Sequence, residues 1–146
     1  DGHEDLFQGY EALAGEPPEE TTFRHFVENY LRPDFRALDL HVLPQSWHLK
    51  RFHYSDAIPM ENLHAHMTDV IGAELADKYF KRPVNATHQH HGTVVPGAAD
   101  IQARDLARTY AEDGGMPADE SFLEDDLIAR IRQLYADDIR MIERIG

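Results

Sequence analysis

Residues 21–49 read TTFRHFVENYLRPDFRALDLHVLPQSWHL, and the fold turns on where this stretch divides. Its first third has a helix signature. Thr22 is a good N-cap residue, and Phe23, Phe26, Val27, Tyr30 and Leu31 recur at three- and four-residue steps on one face. Pro33 stops such a helix, because the residue before a proline is steered out of the helical region. The last third, Asp39–Leu49, fits neither helical nor alternating periodicity. It nevertheless holds two histidines, a glutamine, a serine and the sole tryptophan. The expectation is a capped helix feeding an irregular, proline-anchored loop rich in hydrogen-bonding groups.

Upstream, Pro17-Pro18 divides the chain before the Glu/Thr entry to that helix. Downstream, FHYSDAIPMENL (52–63) predicts a short strand running into a helix, with Pro59 confining the strand to an edge or an end. A single helix is expected over 61–80, with Leu63, Met67, Val70, Ile71, Leu75 and Tyr79 as its apolar face. Residues 82–100 carry the Pro, Gly, Asn and Thr content of a loop. ADIQARDLARTYAED (99–113) is a helix ended by Gly114-Gly115. The final helix carries Leu127, Ile128, Ile131, Leu134, Tyr135, Ile139, Ile142 and Ile145, with Ser121 and Glu124 at capping-box spacing. The whole is mostly helical with one or two short strands, too few to complete a large sheet. No internal repeat is present.

Composition narrows the function. The 146 residues make about one domain, 42% hydrophobic and 28% charged, with a formal net charge of −13. Phosphate backbones are repelled by such a surface, so general nucleic-acid binding is excluded, whereas a small anion in a locally basic pocket is not. With no cysteine there is neither a disulfide framework nor a thiolate zinc site. No apolar run reaches membrane-spanning length, and no signal peptide is visible.

Several constellations bear two readings each. Ten histidines include His64-x-His66 and the His88, His90, His91 run. Residues two apart on a helix face differently, so His64 and His66 do not chelate together. The loop histidines define a metal-binding alternative, set against a solvated loop. Glu61, at the strand-to-helix junction, either complements the helix dipole or positions a neighbouring loop. Glu112-Asp113, Asp125-Asp126 and Asp137-Asp138 are adjacent acids and read as solvated faces. Trp47 is either a platform for a sugar ring or core packing. No GxxxxGK[ST] phosphate loop occurs, and the three lysines are Lys50, Lys78 and Lys81.

Taken in order, TFRHFVENYL, DLHVLPQSWHL, YSDAIPMENL, VNAT and LIARIRQLYADDIRMIERIG resemble the C-terminal half of the carbohydrate sulfotransferases. That family includes the Golgi heparan 2-O- and chondroitin-type enzymes and bacterial relatives. The resemblance spans most of residues 21–146; it rests on the order of the motifs more than on any one of them.

The resemblance implies an α/β, P-loop-like sulfotransferase fold, of which residues 1–146 are the C-terminal portion of a single domain, the N-terminal donor-binding half being absent. It implies a sulfuryl group moved from 3′-phosphoadenosine 5′-phosphosulfate (PAPS) to a hydroxyl of a carbohydrate acceptor, with no metal. Asp39, His41, Pro44 and Gln45 match the family's D-x-H-x-x-P-Q stretch. By that match His41 is the catalytic candidate, either accepting the hydroxyl proton or holding the loop in shape. Asp39, Gln45, Trp47 and His48 are the acceptor-binding candidates. Glu61, Asn62 and Leu63 match a structural junction. Asn85 and Thr87 match an asparagine-containing loop that reaches the donor's 3′-phosphate. The family's basic donor loop and its second donor motif have no counterpart here, so the chain by itself is expected neither to bind PAPS tightly nor to turn over. A non-catalytic binding protein derived from the family is the other reading. The Ala-, Arg-, Asp- and Glu-rich composition leans to a bacterial cytoplasmic protein, with the Golgi lumen as the eukaryotic alternative; the oligomeric state is left open.

Overall fold

The computed structural model describes residues 4–49, 54, 57–82 and 92–144. Helices α1 (Glu4–Ala14), α2 (Phe23–His25), α3 (Gln45–His48), α4 (Leu63–Ile71), α5 (Ala73–Phe80), α6 (Ala103–Asp113), α7 (Asp125–Leu134) and α8 (Ala136–Glu143) are joined by short 3-10 turns. Among the described residues the β-structure is a single antiparallel bridge between Thr22 and Gln102. The strand expected before Glu61 is not formed at residues 57–59; a 3-10 turn, Met60–Asn62, follows Pro59 instead. Pro59 lacks the N–H that a ladder needs.

The core forms where the Thr22 helix was expected. Thr22 caps α2, its side chain accepting from the His25 N–H at 3.0 Å. After one α turn the chain widens into a π-helix, Phe26–Tyr30, in which the Leu31 N–H bonds to Phe26 O at 3.0 Å. Val27, Tyr30 and Leu31 are buried, joined by Tyr10 and Ala14 of α1, Phe35, Leu38, Ala99 and Leu127 of α7. Val27 and Leu127 are 0% and 1% exposed, each stabilising the fold by roughly 1.5–3 kcal/mol. The Phe26 ring stacks with those of Tyr10 and Tyr30, which are tilted to one another, all centroids lying 4.9–6.3 Å apart.

Helix ends need partners for their free carbonyls and amides. Arg130 of α7 supplies them at the π-helix end, donating to Val27 O at 2.8 Å, Glu28 O at 2.9 Å and Leu31 O at 3.2 Å. The first amides of α6 bond to Thr21 O (2.8 Å) and Glu19 O (2.9 Å). Outside, Arg24 ties α2 to Asp100 (2.9 Å), Glu124 (2.5 Å) and Asp126 (2.6 Å). The carboxylates hold its guanidinium pKa above the ordinary value, while Asp126 is pulled down chiefly by the Arg24 hydrogen bond.

Two expected helices are broken. The 61–80 helix folds back at Gly72 (φ 85, ψ 155), where α4 stops and α5 begins. The resulting hairpin is stapled by His64 Nε2 to Asp77 at 2.8 Å. The terminal helix breaks at Tyr135 (φ −101, ψ 27) into α7 and α8. Ser121 and Glu124 do not form the expected capping box. The buried Ser121 hydroxyl accepts instead from the Val95 N–H at 3.0 Å, and Glu124 occupies the N-cap position without a capping bond, its carboxylate being turned to Arg24. The α6 stop is as expected, with Gly114 left-handed at φ 66.

Candidate functional site

Residues Asp39–Leu49 form a ledge clamped by the core at both ends. Asp39 starts it. Its backbone N–H donates to the Tyr30 hydroxyl at 3.0 Å, and its carboxylate caps a 3-10 turn, Leu40–Val42, by accepting from the His41 N–H at 2.8 Å. Pro44 is buried and sets the backbone for the short helix α3. The middle is held by the Tyr135 hydroxyl, which donates to Val42 O at 2.6 Å. Beyond Pro44, Asp138 of α8 accepts from the Gln45 N–H at 2.6 Å and the Ser46 N–H at 3.0 Å. Asp138 therefore caps α3 from across the fold and is only 9% exposed. This corrects the reading of Asp137-Asp138 as a solvated pair: Asp137 faces solvent and pairs with Arg140, while Asp138 is structural.

The ledge turns the His41, Gln45 and His48 side chains outward, while the Ser46 hydroxyl is buried within it. Asp39 Oδ1 lies 2.6 Å from His41 Nδ1. A carboxylate only accepts, so Nδ1 carries the proton and the lone pair sits on Nε2. The His41 N–H, helped by its ring, draws the Asp39 carboxyl below the usual range, keeping it ionised beside the imidazole. The His41 side chain is 84% exposed. An oriented imidazole with a free Nε2 and an anion behind Nδ1 can take a proton and be stabilised as imidazolium.

The other acceptor candidates share the surface. Gln45 and His48 are exposed on α3. Trp47 packs against the core on one side and meets solvent on the other. Its ring meets buried Phe35 edge-on at 5.6 Å, yet the residue is 49% exposed. Thus Asp39, His41, Gln45, Trp47 and His48 are brought together on one short segment. Asn85 and Thr87, with His88, His90 and His91, lie outside the described residues. Glu61 lies in the 3-10 turn before α4, with its neighbour Asn62 as the N-cap residue making no side-chain bond.

The residues that sequence reasoning missed are the clamp: Tyr30, Tyr135 and Asp138. Tyr135 stands at the break before α8 and Asp138 in its first turn, and no local signal in the sequence marks either as a clamp. No set of three His, Asp or Glu side chains able to hold a metal occurs among the described residues. No glycine-rich phosphate loop occurs among the described residues; Arg140 and Arg144 line a cavity on α8, but they share it with Asp137, which pairs with Arg140, so it is no ready cradle for the phosphates of PAPS. No helix is long and apolar enough to cross a membrane among the described residues. No family model, curated protein or solved structure matches the chain.

Proposed function

We propose that this chain is the acceptor-side portion of a PAPS-dependent carbohydrate sulfotransferase, with the donor-gripping groups on polypeptide outside these 146 residues. In this reading the helices described above flank an α/β, P-loop-like sheet contributed by that other polypeptide. One observation carries the reading: the clamped ledge that fixes the Asp39–His41 pair beside exposed Gln45 and half-exposed Trp47. His41 Nε2 takes the proton of the acceptor hydroxyl, and Asp39 stabilises the imidazolium. The Trp47 indole lies against the apolar face of a sugar ring, and the Gln45 amide and His48 imidazole bond its hydroxyls. Rigid support from Tyr30, Tyr135 and Asp138 is what such a site needs, because catalysis by positioning fails when the group wanders by an ångström.

The test is a calorimetric titration of PAPS into this chain and into a version extended with the polypeptide encoded upstream. The extended protein binds PAPS and transfers sulfuryl groups to a polysaccharide, while the shorter chain binds it weakly or not at all. Absence of PAPS binding by the extended protein refutes the proposal.

A further inference from the structure

The α4–α5 hairpin carries a second site, which stands whether or not the chain belongs to a sulfotransferase. We propose that the cleft between the start of α4 and the end of α5 binds a small oxyanion: a sulfate, phosphate or carboxylate group. The cleft is a cavity of about 430 Å³ lined by Met60, His64, Tyr79, Phe80, Lys81 and Arg82, with Glu61 as the carboxylate of its lining. In a chain of net charge −13 with three lysines, Lys78, Lys81 and Arg82 fall within five consecutive residues.

Cations at a helix C-terminus often do no more than complement the helix dipole. That accounts for Lys78 in the last turn of α5. It does not account for Lys81 and Arg82 lining one cavity with His64 from the first turn of the preceding helix. Nor does pairing exhaust them. Asp77 Oδ2 takes one bond from Lys81 Nζ at 2.7 Å, and Oδ1 meets His64 Nε2 at 2.8 Å. Two ammonium donors of Lys81 remain, and the Arg82 guanidinium has no protein partner among the described residues; His64, which donates to Asp77 through Nε2, keeps an acceptor lone pair on Nδ1 and only orients the back wall. Asp77 thus works as an orienting back wall. Its own carboxyl is pulled below the ordinary range by Lys81 first and His64 second.

Surplus donors converging on a cavity are the chemistry that recognises an oxyanion. The cavity exceeds what a bare ion fills, and Tyr79, 61% exposed with Lys78 Nζ 5.0 Å from its ring centroid, adds an aromatic side chain to the lining. The anion therefore comes either as a free ion or as a group carried on a sugar-sized ring.

The test is an NMR titration of the chain with sodium sulfate, sodium phosphate and glucosamine 6-sulfate. Saturable shifts confined to the amides of 61–64 and 79–82 are expected. Arg82→Gln and Lys81→Gln each weaken binding about tenfold, the effect of losing one charge-assisted hydrogen bond. Arg36→Gln, on the exposed turn after Pro33, leaves it unchanged. Urea midpoints of Arg82→Gln and Arg36→Gln match the parent, and that of Lys81→Gln falls only slightly with the loss of its exposed Asp77 pair, so every variant is fully folded under the titration conditions and lost binding is separated from lost folding. Tighter binding of the sulfated sugar assigns a sugar-borne anion, and equal binding assigns the free ion. Non-saturating shifts spread over the surface, or parental affinity in both Arg82→Gln and Lys81→Gln, overturn the site.

Discussion

Removing the Asp138 carboxylate is the sharpest perturbation of the ledge. Asp138 accepts two backbone N–H groups, from Gln45 at 2.6 Å and Ser46 at 3.0 Å, and is 9% exposed. Hydrogen bonds to a charged group contribute roughly 1.5–3 kcal/mol each when buried. Gln45 is exposed, so water re-solvates its amide once the cap is lost, and the loss is closer to that of a strong N-cap, up to about 2 kcal/mol. Asp138→Ala is therefore expected to lower stability by about 2 kcal/mol and Tm by roughly 4–8 °C. Asp138→Asn, which keeps one acceptor oxygen and loses the charge, costs about half as much. Urea unfolding followed by tryptophan fluorescence suits the measurement, because Trp47 is the sole tryptophan and lies on the ledge itself. Asp137→Ala is the control, being the solvent-facing neighbour; its midpoint stays within about 0.5 kcal/mol of the parent. If Asp138→Ala behaves like Asp137→Ala, the cross-fold cap contributes nothing and the reasoning fails.

Three further outcomes are expected. Gly72 sits at φ 85, ψ 155, a conformation nearly confined to glycine, so Gly72→Ala costs about 1–3 kcal/mol; hydrogen exchange speeds up across α4 and α5 while the amides of Val27 and Tyr30 stay protected. The carboxyls of Asp39, Asp77 and Asp126 are all depressed in the folded state. Their stabilisation is present above the unfolded aspartate value of about 3.9 and is lost as pH falls below it toward the folded values. An acid titration of the urea midpoint of Arg24→Gln should accordingly show a shallower acid branch than the parent, since Asp126 loses its main partner. Leu127→Ala empties a fully buried position and lowers stability by about 2–5 kcal/mol in the same urea assay; a loss under about 1 kcal/mol would remove Leu127 from the core.

Local signals were legible in the sequence, and signals that cross the fold were not. Thr22, the Phe23–Leu31 face and Gly114 act over a few residues, so cap and period revealed them. The 61–80 helix was read through Gly72 because the apolar spacing continues on both sides of it, and spacing carries no record of a reversed direction. Tyr135 hides its break for a similar reason. The chain turns there so that the hydroxyl reaches Val42 O and Asp138 reaches the ledge, contacts made across 93 residues. Ser121 had the spacing of a capping residue, but its hydroxyl is taken by the Val95 N–H. The polar character of Asp39–Leu49 was readable, but not its two helical turns, Leu40–Val42 and Gln45–His48, where a plain loop was expected. What holds these turns resides in three residues elsewhere, and two adjacent aspartates look alike until one is seen to be buried.

In the proposed sulfotransferase the clamped ledge presents His41 as the group that takes the acceptor proton. The most direct test of that role compares sulfuryl-transfer rates of the upstream-extended protein with and without His41→Ala, alongside the urea midpoint of each. A positioned general base contributes roughly 10²–10⁴-fold, and His41 is 84% exposed, so the rate should fall at least about a hundredfold while the midpoint stays put. An unchanged rate, or a rate lost together with cooperative unfolding, contradicts the claim.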